Sequence, residues 1–282
     1  MRILAPAKVN LCLRVVGKRE DGYHLIDSLM VPVDLYDEIR IARRRRGDGG
    51  LTVTCDHPQV PDGEANLAYR AASLLLEEKG LSGPVRIHIR KRIPVGGGLG
   101  GGSSDAAATL LGLNRLLRLG CSQGTLFSLA ARLGADVPFF IRGGPARARG
   151  IGERLTRLRP FPRLWMVILY PGFPVSTRWV YQSLDFKLTK AMGNTSINFS
   201  LKDPKRLARL LVNDLEKVTI RRYPKIAFLK ERLMEEGAGG ALMSGSGSSV
   251  FGIFAAEEAA RKAFRRLRKE EGVQGYLVHS LS

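Results

Sequence analysis

The sequence predicts an α+β protein of two domains, and three observations support this prediction. The chain has 282 residues, of which 44% are hydrophobic, so it can bury the core of one large or two ordinary globular domains. Its first half combines alternating apolar strands with a glycine loop and alanine-rich helices. Its second half is ordered as strand, helix, paired strands, helix and strand. Two prolines near residue 160 predict a boundary between domains at 1–159 and 160–282.

The composition narrows the function classes. There is no run of eighteen apolar residues and no hydrophobic signal region, so we expect a cytoplasmic protein without a membrane role. The three cysteines and four histidines lack metal-ligand spacing, so no zinc or iron site is expected. The formal charge of +19 indicates nucleic acid, an anionic surface or an anionic small substrate. Aromatic residues are not interleaved with the basic runs, such as residues 43–46, which favours solvated faces over a nucleic-acid patch.

The first strand carries two polar side chains on one face. Residues 3–5 begin the strand, Pro6 interrupts it, and apolar residues then alternate up to Val15. Lys8 and Asn10 share the face opposite the apolar one, because alternate residues of a strand point the same way. That face is directed either to solvent or into a cleft.

A loop with an Asp-Gly turn follows and ends at Tyr23 and His24. Turn packing and ligand contact are equally good explanations of this pair. Residues 25–33 and 35–41 predict two further strands. Asn66 then begins an apolar helix that ends at a glycine, and its side chain suits the cap position of that helix.

The most distinctive stretch is residues 93–108, where six glycines in seven positions lead into an alanine-rich helix. An alternating strand ends just before it at Pro94, and Ser103 or Ser104 caps the helix. Backbone N–H groups at a helix N-terminus, together with its dipole, bind phosphate. A flexible linker is the alternative, but linkers are not flanked by such a strand and a capped helix. The stretch therefore predicts a phosphate-binding loop.

Three known phosphate-binding schemes do not fit this loop. The P-loop requires a lysine before Ser103, and none is present. Gly96, Gly98 and Gly101 match G-x-G-x-x-G, but the helix leads into another helix where a dinucleotide fold needs a second parallel strand. The protein-kinase set of strand lysine, H-R-D and D-F-G is absent.

The remaining elements are predicted from caps and alternation. Ser122 caps a helix closed by Gly134, and Asp136 behind it is a turn former or a site carboxylate. In the second half, two strands flank a polar loop at residues 244–249, and helices precede and follow this pair. Together with strands at 164–170 and 276–278 this order is of ferredoxin-like character, with a polar stretch expected to be mobile at residues 186–200.

Four motifs in order carry a resemblance to a known family. They are Ala5-Pro6-Ala7-Lys8-Val9-Asn10-Leu11 with Gly17-Lys18-Arg19-Glu20-Asp21-Gly22-Tyr23-His24, Pro94-Val95-Gly96-Gly97-Gly98-Leu99-Gly100-Gly101-Gly102-Ser103-Ser104-Asp105-Ala106-Ala107, Gly134-Ala135-Asp136-Val137-Pro138-Phe139-Phe140, and Ser244-Gly245-Ser246-Gly247-Ser248-Ser249-Val250-Phe251. They resemble the motifs of the GHMP kinases, and especially of the member in the non-mevalonate isoprenoid pathway. The resemblance spans nearly the whole chain, and residues 184–204 are the part that it does not match.

The resemblance implies a fold, an activity and partners. The fold is a ribosomal-protein-like α/β domain followed by a ferredoxin-like α+β domain. The activity is ATP-dependent phosphorylation of the 2-hydroxyl on the methylerythritol part of a cytidine diphosphate ester. Magnesium is expected to accompany ATP, without an assigned ligand residue. Neither a membrane nor a nucleic acid is expected as a partner.

The resemblance also implies roles for residues. Asp136 takes the proton from the attacking hydroxyl, and Lys8 orients and stabilises the charged groups beside it. The implied ATP contacts are Pro94, Gly96, Gly97, Gly98, Leu99, Gly100, Gly101, Gly102, Ser103, Ser104 and Asn66. The implied substrate contacts are Asn10, Tyr23, His24, Thr177 and Tyr181, with Tyr23 and Tyr181 stacking on both sides of cytosine. The last of the four motifs, residues 244–251, is called the third motif in this family and contributes a loop with Gly245, Ser246 and Gly247.

Two alternatives remain. The charge and the shared domain architecture are compatible with an RNA-binding or ribosome-associated module, whose affinity would fall steeply with salt. A GHMP kinase for homoserine or mevalonate is the other alternative. The loop containing Tyr23 and His24 argues against it, because neither of those substrates carries a cytosine.

Overall fold

The structure, a computed structural model, describes residues 1–43, 50–184, 208 and 210–282. These residues form two compact units. Unit 1 comprises Met1–Ala7, Leu35–Val95 and Gly100–Gly143, and unit 2 comprises Lys8–Asp34, Gly96–Leu99 and Gly144–Ser282. The long strands β1 (Arg2–Lys18) and β2 (His24–Arg43) contribute residues to both units. The domain boundary between residues 159 and 160 stays a prediction.

In unit 1 the end of β2 lies in a sheet with β3 (Thr52–Cys55) and β4 (Val85–Arg90). β4 pairs in antiparallel register with β2 and in parallel register with β3. The isoleucines at positions 39, 41, 87 and 89 are all buried on one face of this sheet, whereas the alternate arginines are exposed. The alternation in β4 is therefore that of a half-buried strand, as predicted.

The buried face of this sheet is covered by helices. A short 3-10 turn (Gly63–Ala65) precedes α1 (Leu67–Glu78), and α2 (Gly101–Leu116), α3 (Gln123–Leu133) and α4 (Val137–Arg142) follow. α2 lies directly on the sheet, because a Cβ on Gly112 would stand 2.6 Å from Ile41 Cδ1. The predicted caps of two helices are confirmed. Asn66 accepts from Ala68 N, and Ser122 accepts from Thr125 N.

Three local predictions were wrong. β1 continues through Pro6, since a missing N–H weakens a strand only where the ladder needs that donor. β2 is one strand where two were predicted. α2 begins at Gly101, so its N-cap is Gly100 in the left-handed conformation, and neither Ser103 nor Ser104 caps it. Glycine reaches this conformation without the steric penalty that serine would meet.

Unit 2 contains a four-stranded antiparallel sheet with the order β11-β7-β10-β9. Its strands are β7 (Trp165–Tyr170), β9 (Gly240–Met243), β10 (Val250–Phe254) and β11 (Gln274–His279). The helices are α5 (Thr177–Gln182), α6 (Glu216–Arg222), α7 (Lys225–Glu235) and α8 (Glu257–Leu267). α7 precedes β9 and α8 connects β10 to β11, so the strands and helices follow the predicted ferredoxin-like arrangement.

The rest of unit 2 is built on the parts of β1 and β2 that belong to it. β5 (Ala146–Gly150) pairs with β2 and with β6 (Arg154–Arg157), and β8 (Val212–Asn213) runs parallel to β1. Val167, Leu169 and Phe254 lie in the apolar core of this unit. On α8, Ala260 and Ala263 are buried in that core, which explains the apolar face of the basic helix.

Within residues 1–43, 50–184, 208 and 210–282, no helix combines the length and the apolar character needed to span a bilayer. The polar stretch predicted at 186–200 lies outside the described residues, as does most of the arginine run at 43–46.

Candidate active site

The glycine loop alternates between two backbone conformations. Gly96, Gly98 and Gly100 have φ angles of 67°, 75° and 72°, whereas Gly97 and Leu99 keep negative φ. Positive φ favours glycine, which explains the alternate glycines of the motif. Residues that alternate in the sign of φ can direct successive N–H groups toward a common concavity, which is a known way to bind an anion.

The loop leads directly into the N-terminus of α2. Ser104 N donates to Gly100 O over 2.9 Å, so the backbone of Ser104 closes the first turn of the helix. The Ser104 side chain is buried, and its Oγ has no hydrogen-bond partner among the described residues. A buried hydroxyl without a partner at the start of a sixteen-residue helix is suited to bind a phosphate oxygen. Ser103, one residue earlier, is half-buried.

In unit 2 the first part of the glycine loop is held by a second polar loop, residues 244–249. Ser244 Oγ donates to Gly98 O over 3.0 Å, and Ser249 N donates to Gly97 O over 3.1 Å. A Cβ on Gly98 would collide with the carbonyl oxygen of Ser244 and lie 2.9 Å from that of Gly247. The third motif therefore fixes the loop by backbone contacts that leave no room for a side chain.

Lys8 and Asn10 are buried beside this loop. Lys8 Nζ donates to Asn10 Oδ1 over 2.6 Å, and the two residues are 4% and 3% exposed. Asn10 Nδ2 donates to Ser28 Oγ over 2.8 Å, and Ser28 Oγ donates to Cys12 O over 2.7 Å. The face shared by the two residues is therefore directed inward, which decides between the two orientations that the sequence left open.

Lys8 and Asn10 also lie against the two loops of unit 2, which are the first part of the glycine loop and residues 244–249. Lys8 N donates to Leu99 O over 2.9 Å. A Cβ on Gly245 would lie 3.3 Å from Lys8 Nζ and 3.4 Å from Asn10 Oδ1. Asn213 Nδ2 holds the third motif from behind by donating to Gly245 O over 2.7 Å. A buried cation thus lies next to a loop that is shaped to bind an anion.

The aromatic residues of the motifs are only partly brought together. The rings of His24 and Tyr181 stack with their centroids 5.1 Å apart, whereas the Tyr23 side chain is exposed and has no ring contact in the described parts of the chain. Burial, and secondarily the charge of Lys18, lowers the pKa of His24, so its imidazole is neutral above the ordinary value of 6.5. Thr177 Oγ1 lies 2.8 Å from Ser246 Oγ, which links α5 to the third motif.

The other predicted site residues belong to unit 1. Asp136 is the half-buried residue before α4, and its side chain does not cap that helix. Asn66 caps α1, and its Nδ2 also donates to Pro61 O over 2.8 Å, so both ends of its amide make local hydrogen bonds. Pro94 is buried where the chain enters the loop.

Sequence reasoning missed a buried ionic cluster in unit 1. Lys91 Nζ lies 2.6 Å from Asp37 Oδ2 and 2.6 Å from Asp105 Oδ2. Burial, and secondarily Asp37, raises the pKa of Asp105 despite the lysine, and the two carboxylates raise the pKa of Lys91. The sequence shows Lys91 immediately after a half-buried strand and Asp105 shortly after the six glycines. It does not show that these two residues pair, because the pairing depends on the fold.

The structure also contains a groove that is separate from the predicted site residues. This groove of about 650 Å³ on the outer face of the unit 1 sheet is lined by Arg2, Arg40, Arg86 and His88, and it contains none of the predicted site residues. Across the described ranges, no group of three histidine, cysteine or acidic side chains could hold a metal ion by itself.

Comparisons with known proteins give consistent matches. Family models match the GHMP kinases N terminal domain at residues 66–144 and the GHMP kinases C terminal at residues 196–274. A 4-diphosphocytidyl-2-C-methyl-D-erythritol kinase of Citrifermentans bemidjiense is 50% identical over 272 residues, covering 96% of each chain. One of Geobacter metallireducens is 52% identical over 263 residues, covering 93% of this chain and 92% of that protein.

Solved structures give the same picture. The crystal structure of a 4-(cytidine 5'-diphospho)-2C-methyl-D-erythritol kinase has a TM-score of 0.85 at 40% identity and covers 100% of both chains. A homoserine kinase from Cytophaga hutchinsonii has a TM-score of 0.77 at 22% identity, covering 100% of this chain and 94% of its own, and shows likeness in fold.

Proposed function

The chain belongs to the 4-diphosphocytidyl-2-C-methyl-D-erythritol kinases of the GHMP family, and from this premise we propose that it transfers a phosphoryl group from ATP to the 2-hydroxyl of 4-diphosphocytidyl-2-C-methyl-D-erythritol. The family confirms the predicted fold class and the predicted phosphotransferase activity in isoprenoid biosynthesis. An RNA-binding or ribosome-associated module is not favoured, since 50% identity to such a kinase extends over 96% of the chain.

The observation that carries the proposal is the buried ammonium of Lys8 beside the glycine loop. Asn10 orients this ammonium, and Lys8 N donates to Leu99 O, so the cation and the loop keep a fixed geometry. Phosphoryl transfer through a loose transition state requires positioning and charge stabilisation more than covalent chemistry. A fixed cation next to an anion-binding backbone supplies both.

The reaction also requires that the proton of the attacking hydroxyl is removed. The resemblance assigns its removal to Asp136, which stands at the start of α4 with a side chain that is not used as a cap. A carboxylate is a weak base for an alcohol, but proton transfer becomes easier as the new bond to phosphorus forms. We propose Asp136 as this base and Lys8 as the group that stabilises the transferred charge.

The remaining contacts are proposed from the motifs. The glycine loop with Ser103 and Ser104 binds the phosphates of ATP, and Asn66 contributes near the adenine in addition to capping α1. Asn10, Tyr23, His24, Thr177 and Tyr181 bind the cytidine substrate. A neutral imidazole offers one donor and one acceptor, which suits the edge of cytosine, and the stacked pair of His24 and Tyr181 supports a base site at this place.

Magnesium is proposed as the partner of ATP. Mg²⁺ is commonly bound by substrate phosphates, waters and one or two carboxylates, so it does not need a cage of protein ligands. When bound it would neutralise charge on the phosphates. The cytoplasm as location, and the division of the chain at residues 159 and 160, remain proposals.

A coupled assay of ADP release tests the function. We expect turnover with 4-diphosphocytidyl-2-C-methyl-D-erythritol and ATP, and none above background with mevalonate or homoserine. Product phosphorylated at the 2-hydroxyl should be identified by phosphorus NMR. Preferred turnover of mevalonate or homoserine would contradict the substrate, and the absence of any ADP release in the presence of Mg²⁺ would contradict the kinase.

A further inference from the structure

The buried ionic cluster of unit 1 joins the chain before the glycine loop to the chain after it. Lys91 precedes the loop and Asp105 follows it, and their side chains are 3% and 4% exposed. Asp37, from β2, has a fully buried side chain, and its Oδ1 accepts from Arg92 N over 2.6 Å and from Ile93 N over 2.9 Å. One lysine and two aspartates therefore hold both ends of the loop.

The contacts of this cluster exclude a direct role of Lys91 in ligand binding. Its ammonium lies 2.6 Å from each of two carboxylates, and its side chain is almost completely buried. A Cβ on Gly101 would stand 2.9 Å from Lys91 Nζ, so the first residue of α2 lies directly against the ammonium. The lysine thus supports the backbone from within and does not extend to the surface.

The charge of the cluster indicates a function other than stability. Two buried carboxylates share one ammonium, and Asp105 Oδ1 has no hydrogen-bond partner among the described residues. Buried ion pairs often contribute little net stability, because desolvation offsets the attraction, but they can select one conformation. A site that binds a flexible triphosphate profits from a loop that is ordered beforehand.

We infer that Asp37, Lys91 and Asp105 form a clasp that closes the base of the phosphate loop and holds it in its nucleotide-binding conformation. Lys91 and Asp105 are positioning residues for ATP, while Asp37 anchors the lysine and the strand exit. This inference rests on the proposed function, since it takes ATP as the ligand of the loop.

The size of the effect follows from the population of the ordered loop. When only a fraction of molecules is competent to bind, the apparent Kd rises by the inverse of that fraction. If the open clasp leaves the loop ordered in about 1–10% of molecules, the Kd for nucleotide rises about ten- to hundredfold. Turnover at saturating ATP should change less, because bound nucleotide restores the ordered loop.

Asp105→Ala is the informative variant, because it releases α2 while leaving Lys91 paired with Asp37. Asp105→Asn keeps an oxygen that can accept from Lys91 and should restore binding to within about threefold of wild type. The matched control is Thr109→Val, one turn further along α2, where the buried hydroxyl donates to the backbone carbonyl Asp105 O over 2.8 Å. The probe is AMP-PNP with Mg²⁺ in titration calorimetry, with hydrogen exchange of the loop amides as a second readout.

The expected result is a ten- to hundredfold weaker Kd for Asp105→Ala, with faster exchange confined to residues 95–104, and little change for Thr109→Val. Equal affinity of Asp105→Ala and wild type would overturn the clasp. So would Asp105→Asn binding as weakly as Asp105→Ala, because charge and not the tie would then matter. If wild type itself does not bind AMP-PNP, the proposed function fails instead of the clasp.

Discussion

Replacing Lys8 by methionine removes the buried ammonium while keeping most of its volume. The side chain is 4% exposed, and its ammonium is held 2.6 Å from Asn10 Oδ1, so its charge is poorly screened. A unit charge about 4 Å from a developing negative charge contributes about 4 kcal/mol at an effective dielectric constant of about 20. This corresponds to a loss of about a thousandfold in kcat. Initial rates of ADP release at saturating concentrations of both substrates measure it.

Ser28→Ala is the control, because it disturbs the same hydrogen-bond chain without removing the charge. It leaves Asn10 Nδ2 without its partner, which costs about 1–3 kcal/mol of stability, comparable to the loss at Asn10 Oδ1 in Lys8→Met. Chemical denaturation should show similar destabilisation of both variants, while kcat of Ser28→Ala stays within about tenfold of wild type. If Lys8→Met keeps kcat within tenfold of wild type, or if both variants lose activity equally, the electrostatic role of Lys8 is refuted.

Four further changes have defined outcomes. Asp136→Asn should lower kcat about a hundred- to ten-thousandfold, and near-normal kcat would remove it from the mechanism. Gly98→Ala should raise the KM for ATP at least tenfold because its Cβ meets the carbonyl oxygens of the third motif, whereas Gly124→Ala, with its nearest neighbour 3.6 Å away, should leave KM unchanged. Tyr181→Ala should raise KM for the cytidine substrate more than for ATP, and equal effects would contradict a base-stacking role. In the wild type the pKa of Asp105 is raised from 3.8 to about 7, so the protein loses stability as the pH rises through this window. Asparagine does not titrate, so the stability of Asp105→Asn relative to wild type, measured by denaturation, should increase over this window and stay constant at higher pH.

Much of the fold could be predicted because its signals are local. Ser122 and Asn66 cap the helices that follow them, and the strands of the ferredoxin-like unit were recognisable from their apolar runs. The start of α2 was misjudged because serine is a frequent N-cap, while here Gly100 takes the left-handed conformation that the loop requires. Local preference was therefore overruled where backbone geometry serves the loop.

The candidate site was only partly predictable. Lys8 and Asn10 were expected on one face, but the direction of that face became clear only from Ser28 and Gly245, which the chain brings to them from far away. Tyr181 was expected to stack on cytosine together with Tyr23; its ring stacks on His24, a contact that the sequence did not indicate, and the sandwich of the base stays a prediction. Side-chain orientation at such places depends on packing, which alternation along a strand does not describe.

The sequence by itself determined the family and most of the order of the elements, and it predicted the phosphate-binding role of the glycine loop, because each depends on residues that are neighbours in the chain. Only the tertiary structure decided how the loop is held. Asp37 and Lys91 are 54 residues apart and Lys91 and Asp105 are 14 apart, so their meeting depends on how β2, β4 and α2 pack. An ion pair between distant residues is a property of the folded chain, because no local pattern specifies which charge will face which.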